Sequence, residues 1–227
     1  MTGTPDLATW QRDISAALLE GAPRDAPADG TPAERSGWAI TTALYRQWRV
    51  FRLRSVAPLT LAALRDQADV VVAAYLAANP GSTSYAATDA EGFLRFAVRT
   101  IPDDVHLAEI AALERDFLTA RLPAEVEDPP PPGTLRRACR AGIREARFDP
   151  HRLLLWLAGR GEQPEAEPAG LKILVAPGLP GWVRVATADE VELWDSLAAG
   201  RAAGSLPAGL GEALGELVRA GAVTASG

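Results

Sequence analysis

Apolar residues recur every three or four positions along most of the chain up to Leu122, the spacing that gathers them on one side of an α-helix. Leu7, Trp10, Ile14, Ala17 and Leu18 form the first such stripe, opened by Thr4-Pro5 and closed by Gly21. Thr31-Pro32-Ala33-Glu34 then combines an N-cap, a proline at the first helical position and a capping box. It predicts a long helix from Pro32 to about Ala57, with Ile40, Leu44, Trp48 and Phe51 as its core stripe. Pro58 breaks that helix, and Leu59–Leu64 resumes it. Val70–Ala78, with Val71, Val72, Tyr75 and Leu76, is the next, stopped by Asn79-Pro80-Gly81. Thr88 and Glu91 predict the start of a helix holding Phe93, Leu94, Ala97 and Val98. Asp103 is the expected cap of another, in which Leu107, Ile110, Leu113 and Phe117 repeat. This half therefore predicts an all-α bundle of five or six helices.

The pattern changes at Asp128–Gly133, whose four prolines predict a stiff connector. It divides the chain into a helical domain 1–127, a linker 128–133 and a second domain 134–227. In the second domain Leu135–Arg147 predicts a helix with Ala138, Ala141 and Ile143 inward. His151–Leu157, opened by Asp149-Pro150, fits a buried strand or a short helix. Two β-rich runs, Leu171–Val175 and Trp182–Ala186, flank the turn Pro177–Gly181 and predict a hairpin. Thr187 and Glu190 make a capping box for a helix carrying Val191, Leu193, Trp194 and Leu197, with Gly200 as its stop. A last helix is expected from about Pro207 to Ala220, with Leu210, Leu214, Leu217 and Val218 on one face, and Val223 opening a closing strand. The fold class is α+β, mostly α: a helical bundle, then a small winged-helix-like module with a short antiparallel sheet.

Composition narrows the function. The 227 residues allow a sizeable core, and 48% of them are hydrophobic. No apolar run is long enough to predict a membrane span, and no secretory signal is visible at the N-terminus. A single cysteine, Cys139, excludes an internal disulfide framework and fits a reducing, cytoplasmic setting. The net charge of −6 is uneven. Residues 134–160 carry seven arginines against Glu145 and Asp149, whereas residues 185–227 are acidic. An acidic winged helix argues against nucleic acid, since duplex affinity rests on neutralised phosphates. The expected last helix offers Arg219 against Glu212 and Glu216. Arg46, Arg49 and Arg52 on the long helix suggest either a basic docking surface for a partner protein or a solvated face.

Catalytic apparatus is sparse. The chain holds two histidines, His106 and His151. His106 and Glu109 lie one helical turn apart, but no second pair completes a metal site, and no HExxH occurs. Arginines flank Cys139, yet nothing in the sequence ties a histidine base to it. No phosphate-binding glycine loop or GxSxG is present. The expectation is a chain without catalytic residues, metal or cofactor of its own.

Two stretches carry a family likeness. GWVRV followed at once by TADEVELWDSL and then LGELVRAGAV resembles the PqqD-like recognition element that binds leader peptides of ribosomally made, post-translationally modified peptides (RiPPs). In the first half, Tyr45-Arg46, the turn Asn79–Tyr85, Phe93-Leu94 and His106–Glu114 resemble the N-terminal domain of the HvfC/BufC family over about residues 7–121. The turn departs from that pattern, with Gly81 where a second proline or polar residue is expected.

Such proteins accompany multinuclear non-heme iron-dependent oxidative enzymes (MNIO). The resemblance implies a heterodimer whose enzyme subunit holds the iron, while this chain binds a precursor peptide and presents it. Leader binding by strand addition would use Leu171, Ile173, Val175, Trp182, Val183 and Val185, with Leu210, Leu214 and Leu217 flooring the groove. A winged-helix transcriptional regulator is the alternative from another class, and an enzyme with an unrecognised carboxylate site is a third.

Overall fold

Proline sets several of the helix boundaries in the first half. The computed structural model describes residues 32–79, 86–123, 130–198, 200–206 and 209–225. The expected first helix from Leu7, the Thr31 cap and all of the Asn79–Tyr85 turn except Asn79 lie outside the described residues. Helix α1 (Pro32–Val56) ends before Pro58, which occupies the first turn of α2 (Pro58–Leu64). A short 3-10 turn leads into α3 (Ala68–Ala78), and Asn79 forms its C-cap. Helix α4 (Ala86–Thr100) already includes Thr88, so Thr88 and Glu91 lie within it rather than at its start. Helix α5 (Val105–Ala120) is capped by Asp104, not Asp103: its carboxylate accepts from the amides of His106 and Leu107.

The chain forms two compact units, 1–103 and 104–227. Helix α5, which the sequence groups with the helical half, thus belongs to the second unit, and the proline run lies inside that unit. In the first unit α1 packs on α4 and α3 on α4. Leu53, Val71, Tyr75, Phe93, Leu94 and Ala97 form its core. The expected core stripe of α1 is reversed. Ile40, Leu44, Trp48 and Phe51 are 48–68% exposed, while Arg49, Leu53 and Ala57 face inward. On the inward side Asp89, buried on α4, takes the guanidinium of Arg49 at 2.9 Å.

In the second unit the expected helix Leu135–Arg147 is instead two strands, β1 (Thr134–Arg137) and β2 (Gly142–Ala146), separated by a turn. Each finds partners far along the chain. Strand β1 pairs with β5 (Arg201–Ala202) and β6 (Val223–Ala225), so Val223 does open a closing strand. Strand β2 pairs antiparallel with β3 (Leu171–Val175), and β3 with β4 (Val183–Val185). The result is two three-stranded antiparallel sheets, ordered β5-β1-β6 and β2-β3-β4. Pro150 opens α6 (Pro150–Leu157), with Asp149 as its N-cap, which settles that run as helix.

Helix α7 (Ala188–Ser196) has the expected Thr187/Glu190 capping box. Helix α8 runs Gly211–Arg219, shorter than the sequence suggests. Leu174 and Ala176 face a core shared with Leu193, Trp194, Leu197, Leu217 and Val223. Helix α5 lies against β3 and α6 against β4. The fold is therefore α+β, mostly α, as the alternation of periods implies.

Candidate functional site

The hairpin that the sequence offers for peptide pairing is present, but its two strands are not equivalent. Strand β3 is central, hydrogen-bonded to β2 on one side and β4 on the other. Leu171, Ile173 and Val175 therefore cannot accept an added strand: Ile173 and Val175 are 1% and 2% exposed, and Leu171 is half-buried. Strand β4 is an edge among the described residues. Across the ladder Ala176 N–H donates to the Trp182 carbonyl at 3.1 Å and Ala186 N–H to the Lys172 carbonyl at 2.8 Å. By alternation the main-chain groups of Val183 and Val185 point away from β3. The Val185 carbonyl takes the Arg184 guanidinium at 3.0 Å. The N–H and C=O of Val183 and the N–H of Val185 point away from β3, at positions 3% and 41% exposed.

Local conformation holds this edge in place. Trp182 ends a short 3-10 turn rather than starting the strand. Both Gly181 (φ 67°) and Trp182 (φ 66°) take left-handed conformations. For a bulky residue that costs on the order of 1 kcal/mol or more and needs surroundings that enforce it. Those surroundings are Phe117, edge-on to the indole at 5.9 Å between ring centroids, and Arg121, whose guanidinium lies 4.6 Å from the ring centre. At the other end Gly178 abuts α8: its N–H donates to the Ala220 carbonyl at 2.9 Å.

A cavity of about 420 Å³ is lined by Arg184 of β4 together with Thr187, Asp189, Glu190, Glu212, Ala213 and Glu216. It separates the end of β4 and the start of α7 from one face of α8. Glu190 is buried, and its carboxylate takes both the Arg184 guanidinium and the Thr187 amide. Burial works against its charge, but these hydrogen bonds outweigh it and hold its pKa below the usual carboxylate range. Val183 is 3% exposed and Val185 41%, so the edge presents one side chain to solvent and tucks the other into the fold. Leu210 and Leu217 are core residues and Leu214 is half-buried against the same core; the floor expected from these leucines is packing, and the open face of α8 here is Glu212 and Glu216.

The basic docking triad does not survive as a unit. Arg49 is 2% exposed, donating to Asp89 Oδ1 at 2.9 Å and to the Asn79 carbonyl at 2.5 Å. Arg52 lies 3.6 Å from Asp89 Oδ2 and 4.4 Å above the Trp48 ring. A buried carboxylate takes both charges, so neither arginine is offered to a partner. Arg46 remains exposed, and it lines a cavity of about 510 Å³ with Ala43, Gln47, Val50, Phe51 and Arg54.

His106 and Glu109 face different partners. The imidazole stacks on Phe148 at 4.4 Å, with Nε2 3.0 Å from the Pro164 carbonyl. Glu109 binds the Arg144 guanidinium and the Arg147 amide. Among the described residues no group of three or more His, Cys, Asp or Glu is arranged to hold a metal ion. Cys139 and His151 are both exposed. No helix among the described residues is long and apolar enough to cross a membrane. The Asp89 cluster and the Arg144 cluster escape sequence reading, because ion pairs 28–40 residues apart leave no local periodicity. No family model matches the chain, and no curated protein is similar enough to it to count as a relative.

Proposed function

We propose that this chain is a non-catalytic partner protein that holds the leader of a ribosomally synthesised precursor peptide and presents it to a multinuclear non-heme iron oxidative enzyme. The leader adds as a strand to the outer edge of β4, and the iron belongs to the enzyme subunit of a cytoplasmic heterodimer. The observation that supports this reading is the unpaired edge of β4 standing beside an open groove to α8. Main-chain hydrogen bonds along such an edge supply affinity, and alternate side chains reaching the groove supply selectivity. The likeness of GWVRV and TADEVELWDSL to PqqD-like elements falls on this edge and on the capped helix beside it.

The test is fluorescence polarisation of the full chain with the labelled leader of the precursor encoded beside its gene, alone and with the neighbouring oxidase. Saturation below about 50 μM is expected. Absence of binding at that concentration, with or without the oxidase, overturns the proposal. The DNA-binding alternative fares worse: α8 carries Glu212 and Glu216 against Arg219, and Arg219 is itself tied to Glu216.

A further inference from the structure

We propose that the peptide taken up by the β4 edge is basic: an extended segment with a Lys or Arg at the positions that point into the groove toward α8. The inference rests on the strand addition proposed above and deepens it by naming the chemistry of the occupant. A strand laid against Val183–Val185 turns every second side chain to the face that Arg184 occupies. On that face lie Asp189, Glu190, Glu212 and Glu216, with Arg184 the one cation among the described residues that line the groove. Arg184 is not available to an acidic peptide, because its guanidinium is committed to buried Glu190 and to the Val185 carbonyl.

The three carboxylates nearest solvent are differently placed. Glu216 shares its charge with exposed Arg219. Asp189 and Glu212 are exposed and make no ion pair among the described residues. An incoming cation therefore gains their attraction without breaking an existing pair, and an incoming carboxylate meets uncompensated like charge. Because the groove is open to water, the effect shows as selectivity and salt dependence more than as raw affinity.

The experiment uses the full chain and two fluorescein-labelled octapeptides of alternating sequence, one Val-Lys and one Val-Glu, at about 50 mM salt. Polarisation is read together with hydrogen exchange at Val183 and Val185. The Val-Lys peptide is expected to bind about tenfold more tightly and to slow exchange at both amides. Reversing Glu212→Lys and Glu216→Lys together is expected to invert the preference, with the circular dichroism melt confirming that the variant folds. Equal binding of both peptides with amide protection overturns the basic selectivity and leaves strand addition standing. Binding of the Val-Lys peptide without protection, or without inversion in the double variant, assigns it to the acidic surface at large and overturns the inference. If neither peptide binds or protects the edge, this inference falls; the reading beneath it is judged by the leader titration.

Discussion

Two carboxylates, Asp89 and Glu190, shape the surfaces on which any function must rest. Asp89 accepts from Arg49 and from the Tyr75 hydroxyl at 2.7 Å, on the face of α1 opposite its exposed large apolar residues. Burial, reinforced by the charge of Asp89, pushes the Tyr75 hydroxyl above its ordinary pKa, so this phenol stays protonated and keeps donating. Asp89→Asn leaves Arg49 buried without its counter-charge and is expected to cost about 3 kcal/mol in denaturant unfolding, against about 1 kcal/mol for Tyr75→Phe. Glu190 predicts a pH dependence. Its pKa is lowered in the folded chain, so its contribution to stability is present above the unfolded-state value of about 4.3 and is lost as pH falls through the folded value. Unfolding free energies measured between neutral and acid pH should fall less steeply below that value for Glu190→Gln than for the parent. Equal slopes would show that Glu190 is not held in its charged form by Arg184.

At the scale of elements, what was legible depended on whether the signal was local. The Thr187/Glu190 box, the Pro58 break and the Asp149-Pro150 start are properties of three or four neighbouring residues, and each appears as the sequence implies. Leu135–Arg147 failed because strand identity there is conferred by partners that the sequence does not place beside it: Leu135 pairs with both Arg201 and Ala225. The same non-local fact decides the candidate site. Whether Leu171–Val175 or Val183–Val185 is the edge turns on β2, about 30 residues upstream of β3, pairing with the former. Turn chemistry gives a prediction at this scale. A Cβ on Gly178 would stand 2.7 Å from the Arg219 carbonyl and 2.9 Å from that of Ala220, backbone atoms that cannot swing aside. Gly178→Ala should force the Pro177–Gly181 turn off the end of α8, at about 1–3 kcal/mol by thermal unfolding. Because the turn leads directly into β4, the variant should also weaken peptide binding at the edge. Wild-type stability in this variant would refute the close approach.

For the whole molecule, the division at Asp103/Asp104 is the most consequential departure from the sequence pattern. The proline run is a strong compositional mark, but composition does not report which core a helix joins. Helix α5 is amphipathic with Leu107, Ile110, Leu113 and Phe117 buried, and periodicity alone would let that face join either half. What assigns it is chemistry at long range: Glu109 and Asp116 on α5 bind Arg144 of β2, and Phe117 meets Trp182 at the base of β4. Burial by itself would lower the Arg144 pKa, but the hydrogen bonds it donates to Asp116 and Glu109 outweigh it and keep the guanidinium charged. Each unit thus has its own buried ion pairs and its own apolar core, the condition under which domains unfold as separate cooperative blocks. Calorimetry should then resolve two transitions, one for each unit. Asp89→Asn should lower the melting temperature of one and leave the other in place, and Gly178→Ala should do the reverse. For blocks of about 100 residues, 1 kcal/mol corresponds to a shift of about 4–8 °C, well within calorimetric resolution. If both variants moved a single shared transition, residues 1–103 and 104–227 would unfold as one block, and a ligand at the β4 edge would stabilise the whole chain rather than its second unit alone.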